Sequence, residues 1–392
     1  VDDLLYLVHR IPYPPDKGDK IRSYHLLRHL ARQYRVHVGA FVDDPDDWRH
    51  AEALGDMCAD VLLRPLKPGP AKLKSLIGFV TGEALSLPYY RDRAMAAWVR
   101  GKLGQGIRRT VMYSSVMGQY VLDAPGIRVM DYVDMDSDKW RQYAANKRWP
   151  MSAVYRREAD RLLDWERRVA AEFDAGLFVS EREAADFRAA APEVADRIGW
   201  YNNGVDTDYF SPEGDYASPY PPGETALVFT GAMDYWPNAD AVQWFARDIL
   251  PRLRAARPEV VFTIVGSRPT PEVQALAQLP GVRVTGRVPD VRPYLAHAAV
   301  AVAPMRIARG IQNKVLEGMA MARPVVVSPQ GYEGLSARPG EDLLLAGDAD
   351  AFATQTLAAL ERPDLGARAR QRVLDDYAWD SCLARVDALL AR

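Results

Sequence analysis

The sequence predicts two doubly wound α/β domains, each a parallel sheet with helices on both faces, facing a central cleft. Three observations carry that expectation. At 392 residues the chain is longer than one ordinary core organises. Short aliphatic or β-branched runs alternate with helical patterns in both halves, the rhythm of a parallel sheet with crossover helices. Midway, SPEGDYASPYPPGE (residues 211–224) is dense in Pro, Gly, Ser and Asp and interrupts both periodicities.

In the first half, strands are expected at 4–8, 36–41, 61–63, 110–114, 128–133 and 176–179. Between them fall helices at about 20–33, near Trp48, and around 94–103 and 155–173. After the interruption the alternation resumes, with strands at 227–230, 260–265, 282–285, 300–303 and 325–328 and a helix over 239–254. The boundaries read as a domain over 1–212, a linker over 213–224 and a domain over 225–376. The last helix, 377–392, has few partners of its own and is expected to pack back on the first domain. Ligands are expected at the carboxyl ends of the strands.

Composition bounds the partners. Fifty Lys and Arg against 52 Asp and Glu give a net charge of −2, which describes an ordinary globular protein and argues against a dedicated nucleic-acid binder. Cys58 and Cys382 lie far apart without metal-type spacing, so neither a disulfide framework nor a zinc site is expected, and a reducing, cytoplasmic setting is favoured. No apolar run is long enough to span a bilayer, and the first residues read as a strand rather than a signal peptide. Any membrane contact is therefore expected to be peripheral, at the inner face of the plasma membrane.

The stretch PMRIARGIQNKVLEGMAMARP (residues 304–324) holds the densest chemistry. A strand ends in Pro304, a polar loop carries Arg306, Arg309 and Gly310, and apolar residues then recur at Val315, Leu316, Met319 and Ala320 with helical spacing. The loop opens a helix, whose unpaired N–H groups and partial positive charge suit a phosphate. Lys314, Glu317 and Met321 recur at i, i+3 and i+7, so the cation and the carboxylate share a face on which Glu317 can accept hydrogen bonds from a vicinal diol such as a ribose. Two readings stand: a nucleoside-diphosphate site, or a solvated surface pair worth about 0.3 to 0.5 kcal/mol.

Near the N-terminus, IPYPPDKGDKIRSYHLLRHL places Gly18 at an equivalent strand-to-helix turn, with Asp19, Lys20 and Arg22 expected to project around the helix start. The alternative is a helix entry with solvated charges. After the strand at 128–133, Asp131, Asp134, Asp136 and Asp138 crowd a strand end. Alternation puts Asp134 and Asp136 on one face, where they can do acid/base or orienting work, although Ser137 or Asp136 also suits an N-cap. No metal is expected, because carboxylates on alternating sides of a strand do not converge on a cation.

Two segments, 139–157 and 64–79, interleave basic residues with aromatic or aliphatic ones, which suits either an anionic membrane surface or ordinary amphipathic helices. The six histidines form no convincing triad. No GxSxG, Walker A or GxGxxG pattern occurs, so serine hydrolase, P-loop and dehydrogenase readings lose their usual support.

Several further motifs give the chain a family likeness. NNGVDTDYFSP (202–212), FTGAMDYWPN (229–238), VGSRP (265–269), VTGRVPDVRPYLAHAAVAVAPM (284–305) and VSEREAADF (179–187), together with the 304–324 stretch, resemble the GT-B glycosyltransferases of the large retaining group called family 4. The sugar transferases of exopolysaccharide and exosortase clusters are most similar. The resemblance implies two Rossmann-like domains, a metal-independent reaction without a cofactor, a UDP- or GDP-sugar donor, and a glycan or polyprenyl-diphosphate-linked acceptor. It implies donor contacts from Gly231, Met233, Arg287, Val288, Arg309, Gly310, Asn313, Lys314 and Glu317. A phosphate or acceptor loop at Gly18, Asp19 and Lys20 and catalytic work by Asp134 and Asp136 complete the expected site.

One departure stands out. Arg309 occupies the first of a pair of positions that many relatives fill with glutamate, while Glu317 keeps the second. Arg309 is therefore open to the diphosphate or to an acidic sugar. A GT-B-like epimerase and a non-catalytic sugar-nucleotide-binding protein are the competing functional classes.

Overall fold

The computed structural model describes residues 1–15, 18–145, 147–308 and 310–391. The chain divides into two units: Val1–Asn202 with Leu383–Arg392, and Asn203–Cys382.

The first unit holds seven strands: β1 (Asp3–Val8), β2 (Arg35–Val42), β3 (Asp60–Pro65), β4 (Arg109–Tyr113), β5 (Ile127–Val133), β6 (Ala175–Phe178) and β7 (Ile198–Trp200). All neighbouring pairs are parallel, in the order β3-β2-β1-β4-β5-β6-β7. Leu4 to Val8 in central β1 are wholly buried, because a strand covered on both faces needs an uninterrupted apolar run. Helices Gly18–Gln33, Arg93–Gly104, Met151–Glu172 and Glu181–Ala190 pack around the sheet. The helix expected near Trp48 is instead a 3₁₀ turn, Pro45–His50, running into a short helix, Ala51–Gly55.

The second unit holds β8 (Thr225–Thr230), β9 (Val260–Val265), β10 (Val282–Gly286), β11 (Val300–Ala303), β12 (Val325–Val327) and β13 (Leu344–Leu345), again parallel, in the order β10-β9-β8-β11-β12-β13. The direction of strand progression reverses between β8 and β11, the switch point where such sheets open a crevice. The helix expected over 239–254 is Trp236–Trp244, a π-helical stretch Phe245–Ile249 and Leu250–Ala256. Leu250 N–H reaches back to Phe245 O. Pro251 follows and cannot donate, so the wider turn absorbs the missing bond.

The division falls at residue 202/203 rather than within 213–224. The Pro- and Gly-rich segment belongs to the second unit and is anchored by its aromatic residues. Tyr216 donates to Ser211 O at 3.0 Å and buried Tyr220 to Tyr294 O at 2.8 Å, while Arg283 binds Glu224 at 3.0 Å. In the first unit, Arg109 Nε donates to Leu390 O at 2.9 Å and His29 Nε2 lies 2.8 Å from Asp387, which ties residues 383–391 to it. No helix among the described residues is long and apolar enough to cross a membrane.

Candidate functional site

At the carboxyl edge of the second sheet, three loops are joined backbone to backbone. Gly231 N–H donates to Val265 O at 3.0 Å, Met233 N–H to Ser267 O at 2.8 Å and Gly266 N–H to Gly286 O at 3.2 Å. A Cβ on Gly266 would fall 1.6 Å from Gly231 O, and one on Gly231 would fall 2.7 Å from Asn238 Nδ2. The two glycines let the turns after β8 and β9 touch. Buried Asn238 holds the same turn by donating to Ala232 O at 2.9 Å.

Around these loops lies a cavity of about 590 Å³, lined by Gly231, Arg287, Val288, Asn313, Lys314 and Glu317 of the predicted residues. It sits at the switch point. Sequence reasoning missed Asn203, Thr230, Gly266, Ser267 and Gln312, which line it too. The VGSRP motif was the available signal for Gly266 and Ser267, and FTGAMDYWPN the one for Thr230.

Helix Asn313–Ala320 buries Val315, Leu316, Met319 and Ala320, and that apolar stripe turns Lys314 and Glu317 toward the cavity. Lys314 Nζ donates to Gln312 Oε1 at 3.2 Å and lies 5.4 Å from the Phe229 ring centre. Burial pulls its pKa down to about 8, against the attraction of Glu317. Burial likewise raises the Glu317 carboxyl, with Lys314 and a hydrogen bond with Thr230 pulling the other way. Among the described residues the two form no ion pair, so the surface-pair reading does not describe them. Arg287 lines the same cavity and makes no hydrogen bond or ion pair among the described residues.

Other predicted residues stand elsewhere. Met233 is wholly buried in the core of the unit and does not line the cavity; its contribution is the backbone bond to Ser267. Arg306 is turned away to Asp240, at 2.9 Å through Nε. Gly310 adopts a φ of 67° in the loop before the helix, a conformation that glycine takes without penalty. Arg309 lies outside the described residues. Gly204, in the NNGVD motif, is needed for packing, since a Cβ there would lie 2.8 Å from the Trp379 ring and 2.9 Å from Tyr377 O.

In the first unit the expected helix-start charges are internally satisfied. Gly18 begins its helix, but Asp19 takes Arg10 at 2.7 Å, and Lys20 is buried on Asp47 at 2.7 Å. Arg22 is fully buried, binding Asp131 through Nε at 2.9 Å and Nη2 at 3.1 Å and stacking 3.6 Å over Tyr201. These cations do not project around the helix start as expected, because carboxylates distant in sequence claim them. His9, after β1, stacks on Tyr113 with ring centres 5.7 Å apart, and burial holds its pKa down to about 4.

Strand β5 ends in a tight turn. Val133 has a φ of 70°, costly for a β-branched residue, and Asp134 N–H donates to Tyr132 O at 2.9 Å, the bond of a γ turn. Strand alternation therefore stops before Asp134. Asp134 and Asp136 meet instead on Lys139, at 2.7 and 3.4 Å, and both stay about one-third exposed. Burial raises the Asp136 carboxyl, Lys139 opposes, and Asp134 adds to the rise. The expected Ser137 cap is otherwise engaged: its hydroxyl donates to Glu166 at 2.6 Å. Burial, reinforced by Asp136, pushes Glu166 up to about 8. Among the described residues no cluster of three or more His, Cys, Asp or Glu is arranged to hold a metal.

Residues 224–362, most of the second unit, match the family described as Glycosyl transferases group 1. No curated protein sequence matches the chain. Several solved structures are similar over its whole length. Anabaena Alr3699/HepE in complex with UDP aligns with 99% of each chain at 13% identity and a TM-score of 0.65. Sucrose-phosphate synthase from Thermosynechococcus elongatus aligns with 100% of this chain and 98% of its own, at 19% identity and a TM-score of 0.66. A glycosyltransferase from Rickettsia africae aligns with 99% and 97%, at 11% identity and a TM-score of 0.63. These likenesses identify the fold as GT-B: two parallel-strand α/β units.

Proposed function

We propose that the chain is a glycosyltransferase that takes a uridine-diphosphate sugar in the cavity of its second unit. It passes the sugar, with retention, to a glycan or polyprenyl-diphosphate-linked acceptor in exopolysaccharide or other cell-surface glycan synthesis. One observation carries this reading: Lys314 and Glu317 line one switch-point cavity without an ion pair between them, inside the segment that matches the transferase family. Uridine is favoured over guanosine because Alr3699/HepE has been solved with UDP and with UDP-glucose.

In this reading Glu317 accepts the ribose hydroxyls, and Lys314, Arg287 and the first N–H groups of helix Asn313–Ala320 bind the diphosphate. As the bond from sugar to diphosphate breaks, negative charge grows on the leaving oxygen, where donors already in place stabilise it. Each charge-assisted contact contributes about 1.5 to 3 kcal/mol. Arg309 adds a contact to the diphosphate or to an acidic sugar. Gly231, Asn313 and Val288 shape the donor site. Asp134, in the first unit, orients the acceptor hydroxyl with Asp136 beside it, and the departing phosphate takes the acceptor proton.

The test is calorimetric titration with UDP, GDP and UDP-glucose, followed by UDP release with and without a polyprenyl-diphosphate oligosaccharide. Expected are UDP binding, weakened by Glu317→Gln, and release that depends on acceptor. Absence of UDP binding, or donor isomerisation without release, would overturn the reading.

A further inference from the structure

Outside the cavity, the first unit carries an amphipathic stripe facing outward. Leu73, Leu76, Ile77 and Val80 recur at i, i+3, i+4 and i+7, the spacing that normally turns a helix face into a core. Here they are 73%, 49%, 51% and 87% exposed. Helices Pro68–Ser75 and Gly78–Thr81 are joined by successive three-residue bonds, Leu76 N–H to Leu73 O and Phe79 N–H to Leu76 O, both close to 3 Å, so the stripe is continuous. The inward positions are the small ones, Ala71 and Gly78. A Cβ on Gly78 would come within 3.1 Å of Glu83 O, so the ribbon lies close against the body with its large side chains outward.

Charge is segregated around this stripe. Residues 61–82 carry four basic and no acidic side chains, and residues 139–157 carry six basic and none acidic, in a chain whose acidic residues outnumber its basic ones. Arg157 joins the two segments, donating to Gly78 O at 2.6 Å with its guanidinium 4.9 Å over the Phe79 ring. In the same 139–157 segment, Trp149 is 82% exposed and Met151 is exposed too. Two carboxylates bordering these segments are paired, Glu83 with Arg91 at 2.6 Å and Asp160 with Arg141 at 3.6 Å.

We infer that this face docks on an anionic lipid bilayer, with the Leu73–Val80 stripe and Trp149 entering the headgroup boundary and Lys67, Lys72, Arg148 and Arg156 meeting the lipid phosphates. An apolar stripe framed by cations that make no ion pair among the described residues matches a surface that is apolar within and negative above. A protein partner would have to match both features with an acidic rim around an apolar groove, and a nucleic acid would leave the aliphatic stripe in water.

The experiment is flotation of the full chain with phosphatidylglycerol-containing vesicles and with pure phosphatidylcholine vesicles, at low and high salt. Binding to the anionic vesicles alone, reduced by salt, is expected. Each of Lys67→Glu and Lys72→Glu should weaken it by about fivefold or more. The double variant Leu73→Glu/Val80→Glu should abolish it while UDP binding and the melting temperature stay unchanged, since both residues are exposed and outside the cavity. Equal flotation of wild type and double variant would overturn the inference. So would failure to bind anionic vesicles, self-association through the same residues in light scattering, or retention on single-stranded RNA lost in the double variant.

Discussion

Replacing Lys314 with Met separates donor recognition from stability. The lysine pKa falls from 10.5 to about 8, so the fold disfavours the ammonium even with the attraction of Glu317 included. At about 1.4 kcal/mol per pH unit that difference is worth up to about 3 kcal/mol, and partial exposure leaves roughly half. Methionine keeps the length of the stem over Phe229 and removes the charge. At pH 7 the variant should therefore be more stable by about 1 to 2 kcal/mol, raising the melting temperature of the second unit by roughly 2 to 8 °C. Donor binding moves the opposite way. Loss of a charge-assisted contact of about 1.5 to 3 kcal/mol weakens UDP by roughly 10- to 150-fold. Calorimetric titration with UDP and differential scanning calorimetry read the two effects independently. A Kd for UDP within twofold of wild type would refute the assignment of Lys314 to the diphosphate, whatever the melting temperature does.

Three further outcomes follow from the same geometry. With Lys314 at about 8, UDP affinity should be flat below pH 7.5 and fall as pH rises through 8, approaching tenfold per unit, because the neutral amine must take up a proton to bind the anion; titrations in buffers of different ionisation enthalpy count that proton. Gly266→Ala places a methyl 1.6 Å from Gly231 O, so the loops must part; soluble yield and UDP binding should fall together, measured by expression and titration. Asp131→Asn leaves Arg22 buried without its carboxylate and should cost about 3 to 5 kcal/mol in urea unfolding, whereas Asp134→Asn, about one-third exposed, should keep stability within about 0.5 kcal/mol and lose turnover.

Strands covered on both faces were legible because burial demands apolar runs, and β1, β2, β8 and β9 announce themselves that way. Strands β7 and β13 were not, since Ile198–Trp200 and Leu344–Leu345 are too short for any periodicity to register. In the second unit the i, i+3 spacing of Lys314 and Glu317 placed both on the cavity, a local regularity that survives folding. Thr230 escaped notice because its partner, Glu317, is distant in sequence. The same blindness misread Lys20 and Arg22. A sequence shows a cation near a helix start but not that Asp47 or Asp131, the latter 109 residues away, already holds it. The end of β5 failed differently: alternation assumed extended backbone, and the positive φ of Val133 bends the chain before Asp134.

These corrections sort the charged residues by what the fold does with them. At the carboxyl ends of the first sheet, Lys20 and Arg22 each meet a buried carboxylate, so positive charge there is compensated and serves packing. Around the second cavity the balance is left open: Lys314 bonds an amide oxygen instead of a carboxylate, and Arg287 makes no hydrogen bond or ion pair among the described residues. Keeping an ammonium half-buried without a counterion costs stability, as its lowered pKa records. Two cations lining the second cavity, Lys314 and Arg287, have no carboxylate partner among the described residues, which leaves room there for an anion from outside. A nucleoside diphosphate also uses Glu317, whose carboxylate would repel a bare phosphate but accepts the hydroxyls of a ribose.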